Sequence, residues 1–104
     1  MLATPIMIDS LHIGFFYFTE DPVALARKMR NDGFYDEGPT VELPDGCFTG
    51  EEAAEELFDM TNNPMRIDRR SRYGNGRSIS VGDMVRVDGE YFLCRPHGWI
   101  KVEF

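Results

Sequence analysis

Two cysteines and two histidines are a thin supply of thiol and imidazole side chains for a chain of 104 residues. His12, Cys47, Cys94 and His97 show none of the paired spacing that zinc ligands need, so neither a metal nor another cofactor is expected. Met1 to Thr4 has no basic stretch ahead of an apolar one, which argues against a secretory leader. With only two thiols and no export signal, the sequence predicts a cytoplasmic setting in which both stay reduced. No run approaches the ~20 apolar residues of a membrane span, so no membrane partner is expected. Internal repeats and low-complexity tracts are missing as well. No Ser, Cys or Thr comes with a His and an acid at telling positions. Cys94, His97 and Asp83 invite a triad, but a short turn beside Trp99 is a poor place for one. Gly74-x-Gly76 is too short for a phosphate-binding loop. The sequence therefore predicts a protein that is not an enzyme.

What the chain does have is apolar residues (42%) and charge (28%) in ordinary globular proportion. One domain over residues 1–104 can bury one core. The net charge of −7 is unevenly spread: residues 1–65 carry 13 acids against 3 bases, and residues 66–77 carry five Arg against Asp68. An acidic body thus bears a basic island.

Residues 77–102 read as a β-meander. Met84, Val85 and Val87, then Tyr91, Phe92 and Leu93, form two short runs about Asp88-Gly89, whose positive φ angles suit a type I′ hairpin. Pro96-His97-Gly98 breaks the second run before Trp99 begins a third. Gly82-Asp83 reads as a tight turn in which a side chain at 82 would clash. Leu11 to Phe18 is dense in aromatics and predicts a strand, with rings on both faces covered by the chain itself or by a second molecule. His12 at its start is expected to face solvent or a core edge and not to serve as a ligand. Asp21-Pro22 opens a helix over 22–31, capped by the carboxylate. Thr40 to Leu43 is a short strand. Thr49 and Glu52 form a capping box for a helix over 51–60, with Ala53, Ala54, Leu57 and Phe58 inward. The expected fold is α+β: a mainly antiparallel sheet of about four to five strands near 11–18, 40–43, 84–87, 90–95 and 99–103, with two helices packed on one face.

Two surfaces are candidate sites. Glu51, Glu52, Glu55, Glu56 and Asp59 form an acidic helix face suited to a basic partner. Arg66, Arg69, Arg70, Arg72 and Arg77, with Tyr73, form a basic loop whose guanidiniums can grip phosphates while the ring stacks on a base. Arg69, Arg70 or Arg72 can instead fold back on Glu55, Glu56 or Asp59, or the loop can meet a protein.

Thr61-Asn62 after an amphipathic helix, Arg77-Ser78, Ser80-Val81-Gly82-Asp83, Gly89, Tyr91 and Gly98 next to an aromatic resemble the YodL-like small proteins of phages, plasmids and conjugative elements. The resemblance covers about residues 51–102, with Trp99 where such proteins often carry Phe. It implies a mobile-element accessory protein and transfers no catalytic residue. The expected function is binding to a host or element protein, inhibition of a bacterial defence complex of anti-CRISPR or anti-restriction type being its most concrete form. The alternative is a nucleic-acid-binding regulator using the Arg66–Arg77 loop. Monomer and homodimer are both open.

Overall fold

The structure, a computed structural model, describes residues 1–44, 49–63, 65 and 77–104. The strands are β1 (Leu2–Ile8), β2 (Tyr35–Glu37), β3 (Val41–Glu42), β4 (Met84–Val87), β5 (Glu90–Cys94) and β6 (Trp99–Val102). The helices are α1 (Phe15–Phe18), α2 (Pro22–Asn31) and α3 (Gly50–Asn62), with a 3-10 turn at Ser10–His12. Every pairing is antiparallel; the sheet runs β2-β1-β4-β5-β6, and β3 pairs with β1 beside β2.

The central strand β1 contains a proline, which a sheet interior normally excludes. Its placement removes the conflict. Pro5 stands opposite Val85 in the β4 register, yet its carbonyl accepts from Gly38 N at 2.8 Å on the opposite edge. The N and C=O of one strand residue face the same neighbour. The missing N–H therefore falls between β2, which pairs residues 6–8, and β3, which pairs residues 2 and 3. No rung of the β1–β4 ladder is lost.

The α+β class, the antiparallel sheet and the meander are as expected. Asp88 (φ 50°) and Gly89 (φ 82°) make the β4–β5 turn. Asp21 caps α2 through Ala24 N, and Thr49 with Glu52 closes the capping box of α3.

Two expectations are corrected. The first strand is Leu2–Ile8, and residues 11–18 are helical. Asp9 accepts from Leu11 N, while Ile13 and Gly14 keep right-handed helical angles and join the 3-10 turn to α1. Rings every residue look like β-propensity, but the burial follows a helical period instead. Phe16 is buried, and His12, four residues earlier, stacks on Phe34 at 4.1 Å.

The second correction concerns the helices, which divide between the two faces of the sheet. Ala53, Ala54, Leu57 and Met60 of α3 pack with Val85, Val87, Phe92 and Cys94. Ala26 and Met29 of α2, with Phe16 of α1, pack with Met84, Leu93 and Val102. The physical reason is that β4 and β5 are apolar at both parities, so each face needs its own cover.

Candidate protein-binding surface

The Ser80–Asp83 turn ties the site together. Asp83 is 0% exposed, and its carboxylate collects four donors. Oδ1 accepts from Ile8 N at 2.8 Å and from Arg77 Nη2 at 2.7 Å; Oδ2 accepts from Ser80 N at 2.7 Å and from Arg77 Nη1 at 2.5 Å. A charge this deep is tolerated because both oxygens are satisfied and a guanidinium fork faces them. Arg77 also donates to the Ile8 carbonyl. The pair thus joins the end of β1 to the start of β4.

Three further bonds fix the same turn. Gly82 N donates to Cys94 O at 3.0 Å, Cys94 N donates to Asp83 O at 2.9 Å, and Tyr35 Oη donates to Gly82 O at 2.7 Å. Burial, with the Asp83 charge adding, pushes the Tyr35 phenol well above its usual range. Gly82 has φ +95°, and a Cβ built there would stand 2.6 Å from the Phe16 ring. The clash foreseen at this glycine is therefore real, and its cause is the seat of Phe16.

On that seat stands an aromatic projection. Phe16 is 3% exposed, whereas Phe15 is 56%, Tyr17 55%, Phe18 88% and Leu11 84% exposed. Leu11, Phe15 and Phe18 follow the four-and-three spacing of one helix side. The opposite side is held by Phe16 under Gly82 and by His12 on Phe34. Of the aromatic run, Phe16 is buried, Phe15 and Tyr17 are half-exposed with Phe15 meeting the His12 ring at 6.0 Å, and Phe18 stands in water. Asp9 precedes the projection, and Glu20 and Asp21 follow it.

The acidic face of α3 is partly engaged within the fold. Glu52 Oε1 accepts from Thr49 N at 3.1 Å, and Glu55 Oε2 accepts from Trp99 Nε1 at 2.6 Å. Asp59 Oδ1 accepts from Asn63 Nδ2 at 3.3 Å, and Glu56 also has an interaction. Glu51 is exposed in the first turn of the helix. Arg66, Arg69, Arg70, Arg72 and Tyr73 lie outside the described residues, as does Cys47. Arg77, placed in the basic loop by its position in the sequence, spends its guanidinium on Asp83, Ile8 and Ser78.

The residues behind the YodL-like resemblance carry structural tasks here. Ile79 N donates to Thr61 Oγ1 at 3.1 Å, Ser78 Oγ to Thr61 O at 2.7 Å, and Asn62 Nδ2 to Ile79 O at 2.9 Å. Thr61-Asn62 is thereby tied to Ser78-Ile79 across the intervening segment.

Cys94 is buried, and its thiol is pushed up to about 12, first by burial and then by the charges of Asp83 and Glu55. Such a thiol stays protonated at neutral pH and is a poor nucleophile. Among the described residues, no three of His, Cys, Asp and Glu are grouped to hold a metal ion, and no helix is long and apolar enough to cross a membrane.

Fold and site together define a small antiparallel α+β domain that presents an aromatic helix. Compared with known protein families, curated proteins and solved structures, the chain finds no match.

Proposed function

We propose that this chain is a non-catalytic binding protein that docks on another protein through the aromatic projection at residues 11–18. The observation that carries the reading is the exposure of Leu11 in the 3-10 turn and of Phe15, Tyr17 and Phe18 in α1, around the buried anchor Phe16. Grouped exposed apolar side chains mark interaction sites, and aromatic anchors on a rigid support carry much of the binding energy of an interface. Phe16 and Gly82 supply the rigidity, so little ordering is left for the moment of binding.

The occupant is an apolar recess with a basic rim on a different protein. Asp9, Glu20 and Asp21 border the aromatic stretch and would meet such a rim. A second copy of this chain is disfavoured because each copy carries a net charge of −7. Basic rims surround the sites of proteins that handle nucleic acid. With the mobile-element setting that the YodL-like resemblance implies, this favours inhibition of a bacterial defence complex, of anti-CRISPR or anti-restriction type. Exposed acids of α3 such as Glu51 would add long-range attraction rather than the anchor.

The test is capture from a nuclease-treated bacterial lysate on immobilised chain, repeated with Phe18→Asp. Retention of one identified protein by the parent chain, lost with Phe18→Asp and weakened by salt, is the expected result. Retention of nucleic acid in the untreated lysate alone would favour the regulator that uses the Arg66–Arg77 loop. Retention indifferent to Phe18→Asp would remove the projection from the account.

A further inference from the structure

Between α1, the start of α2 and the β5–β6 turn lies an open groove of about 270 Å³. Its apolar wall comes from Phe16, Tyr17, Pro22 and Pro96, and Arg95 and Glu20 supply its charge. Arg95 stands apart from the other described cations of the sheet. Arg86 pairs with Glu37, Lys101 with Glu90, and Arg77 with Asp83. Arg95 makes one long bond, from Nη2 to His97 O at 3.4 Å, and its Nε is buried with no acceptor. A guanidinium carries five donors and cannot give up its proton; the Nε is closed to solvent, so the donors Arg95 offers beside the apolar wall are those of its two Nη atoms.

We propose that this groove binds a small carboxylic acid with an apolar body, the carboxylate on Arg95 and the apolar part on the Phe16, Tyr17 and proline wall. The size limits the ligand. Drug-sized and cofactor pockets start at about 300 Å³, so this groove of about 270 Å³ suits a single-ring acid. The charge sets the polarity: a planar guanidinium matches a carboxylate in a two-point geometry that a neutral amide cannot reproduce. Glu20 works against the ligand, but it is exposed and its charge is screened by water and salt. The site is separate from the apolar face formed by Leu11, Phe15 and Phe18, and it stands whether or not that face binds a protein.

The test titrates phenylacetate, and in parallel phenylacetamide, into ¹⁵N-labelled full chain and follows backbone amide shifts. Phenylacetate is expected to move Tyr17 and Arg95 saturably, and phenylacetamide is expected to leave them in place. Arg95→Gln should weaken phenylacetate about tenfold or more, the loss of a charge-assisted hydrogen bond. Arg95→Lys should fall between the two, and Glu20→Gln should tighten binding. This acid–amide comparison on the unaltered chain needs no variant, so a poorly folded Arg95→Gln would not spare the proposal. Equal shifts from acid and amide, no saturable shift from the acid, or full affinity in a folded Arg95→Gln would each overturn it.

Discussion

Asp83 and Phe18 reverse the usual rule for where charge and apolar surface belong. One is a carboxylate with none of its surface in water; the other is a phenylalanine with 88% of its surface in water. The carboxylate is at rest because Arg77, Ile8 and Ser80 satisfy both its oxygens. Nothing in the described chain does the same for Phe18. A residue out of place but fully matched belongs to the fold, and a residue out of place and unmatched points to a partner. The two are linked through the fold: Asp83 follows Gly82, on which Phe16 rests, two residues before Phe18.

That contrast can be broken most forcefully inside α1. Phe16→Ala should cost about 3–5 kcal/mol, the range for emptying a buried aromatic site, as read by urea unfolding. If Phe16→Ala were as mild as a surface change, the anchored helix would be wrong. Next comes Asp83→Ala. It strips Arg77 of its counter-charge and leaves two backbone N–H groups without an acceptor. The loss should be about 3 kcal/mol, at the lower end for a broken buried pair, because the Arg77 side chain keeps 31% of its surface in water. A loss below about 1 kcal/mol would demote the carboxylate to an ordinary turn residue.

Smaller effects sharpen the picture on the α3 face. Trp99→Phe keeps most of the ring packing and removes the bond to Glu55. About 1 kcal/mol is expected in the same unfolding assay, less than for a buried charged bond because Glu55 is exposed. Alkaline titration gives a further check. The Cys94 thiol is pushed up to about 12 in the fold, against about 8.5 in an unfolded chain. Above that lower value the unfolded state binds fewer protons than the folded one, so stability falls as pH rises from about 9 toward 12. Tyr35 acts in the same direction at higher pH. Cys94→Ala should make the decline shallower, and an unchanged slope would show that the thiol does not contribute.

Much of the fold was legible because the relevant chemistry is local. Asp21-Pro22, Thr49 with Glu52, and Asp88-Gly89 each act within one turn of chain, and each appears where the sequence placed it. The failures are non-local. β1 is one of them: a proline at position 5 counts against a strand, and only the gap between β2 and β3 makes it harmless there. Leu11 to Phe18 resembles a strand in its ring density, whereas the spacing of its buried positions is helical and Asp9 supplies the cap of the 3-10 turn. Arg77 was read with its basic neighbours, although its partner Asp83 lay six residues ahead within the Ser-Val-Gly-Asp string. A buried carboxylate and a solvated turn carboxylate are the same letter, and only the folded chain distinguishes them. The exposed projection is half legible: the surplus of rings is plain in the sequence, but which of them face water depends on the seat of Phe16.

On the proposed role, Phe15 and Phe18 serve a partner and not the fold. Phe15→Ser with Phe18→Ser, followed by urea unfolding and by affinity toward the captured protein, separates the two. The predicted result is stability within about 0.5 kcal/mol of the parent, as for surface changes, with affinity reduced at least about 30-fold, equivalent to about 2 kcal/mol. A double variant that keeps its affinity, or one that unfolds as readily as Phe16→Ala, would contradict the account.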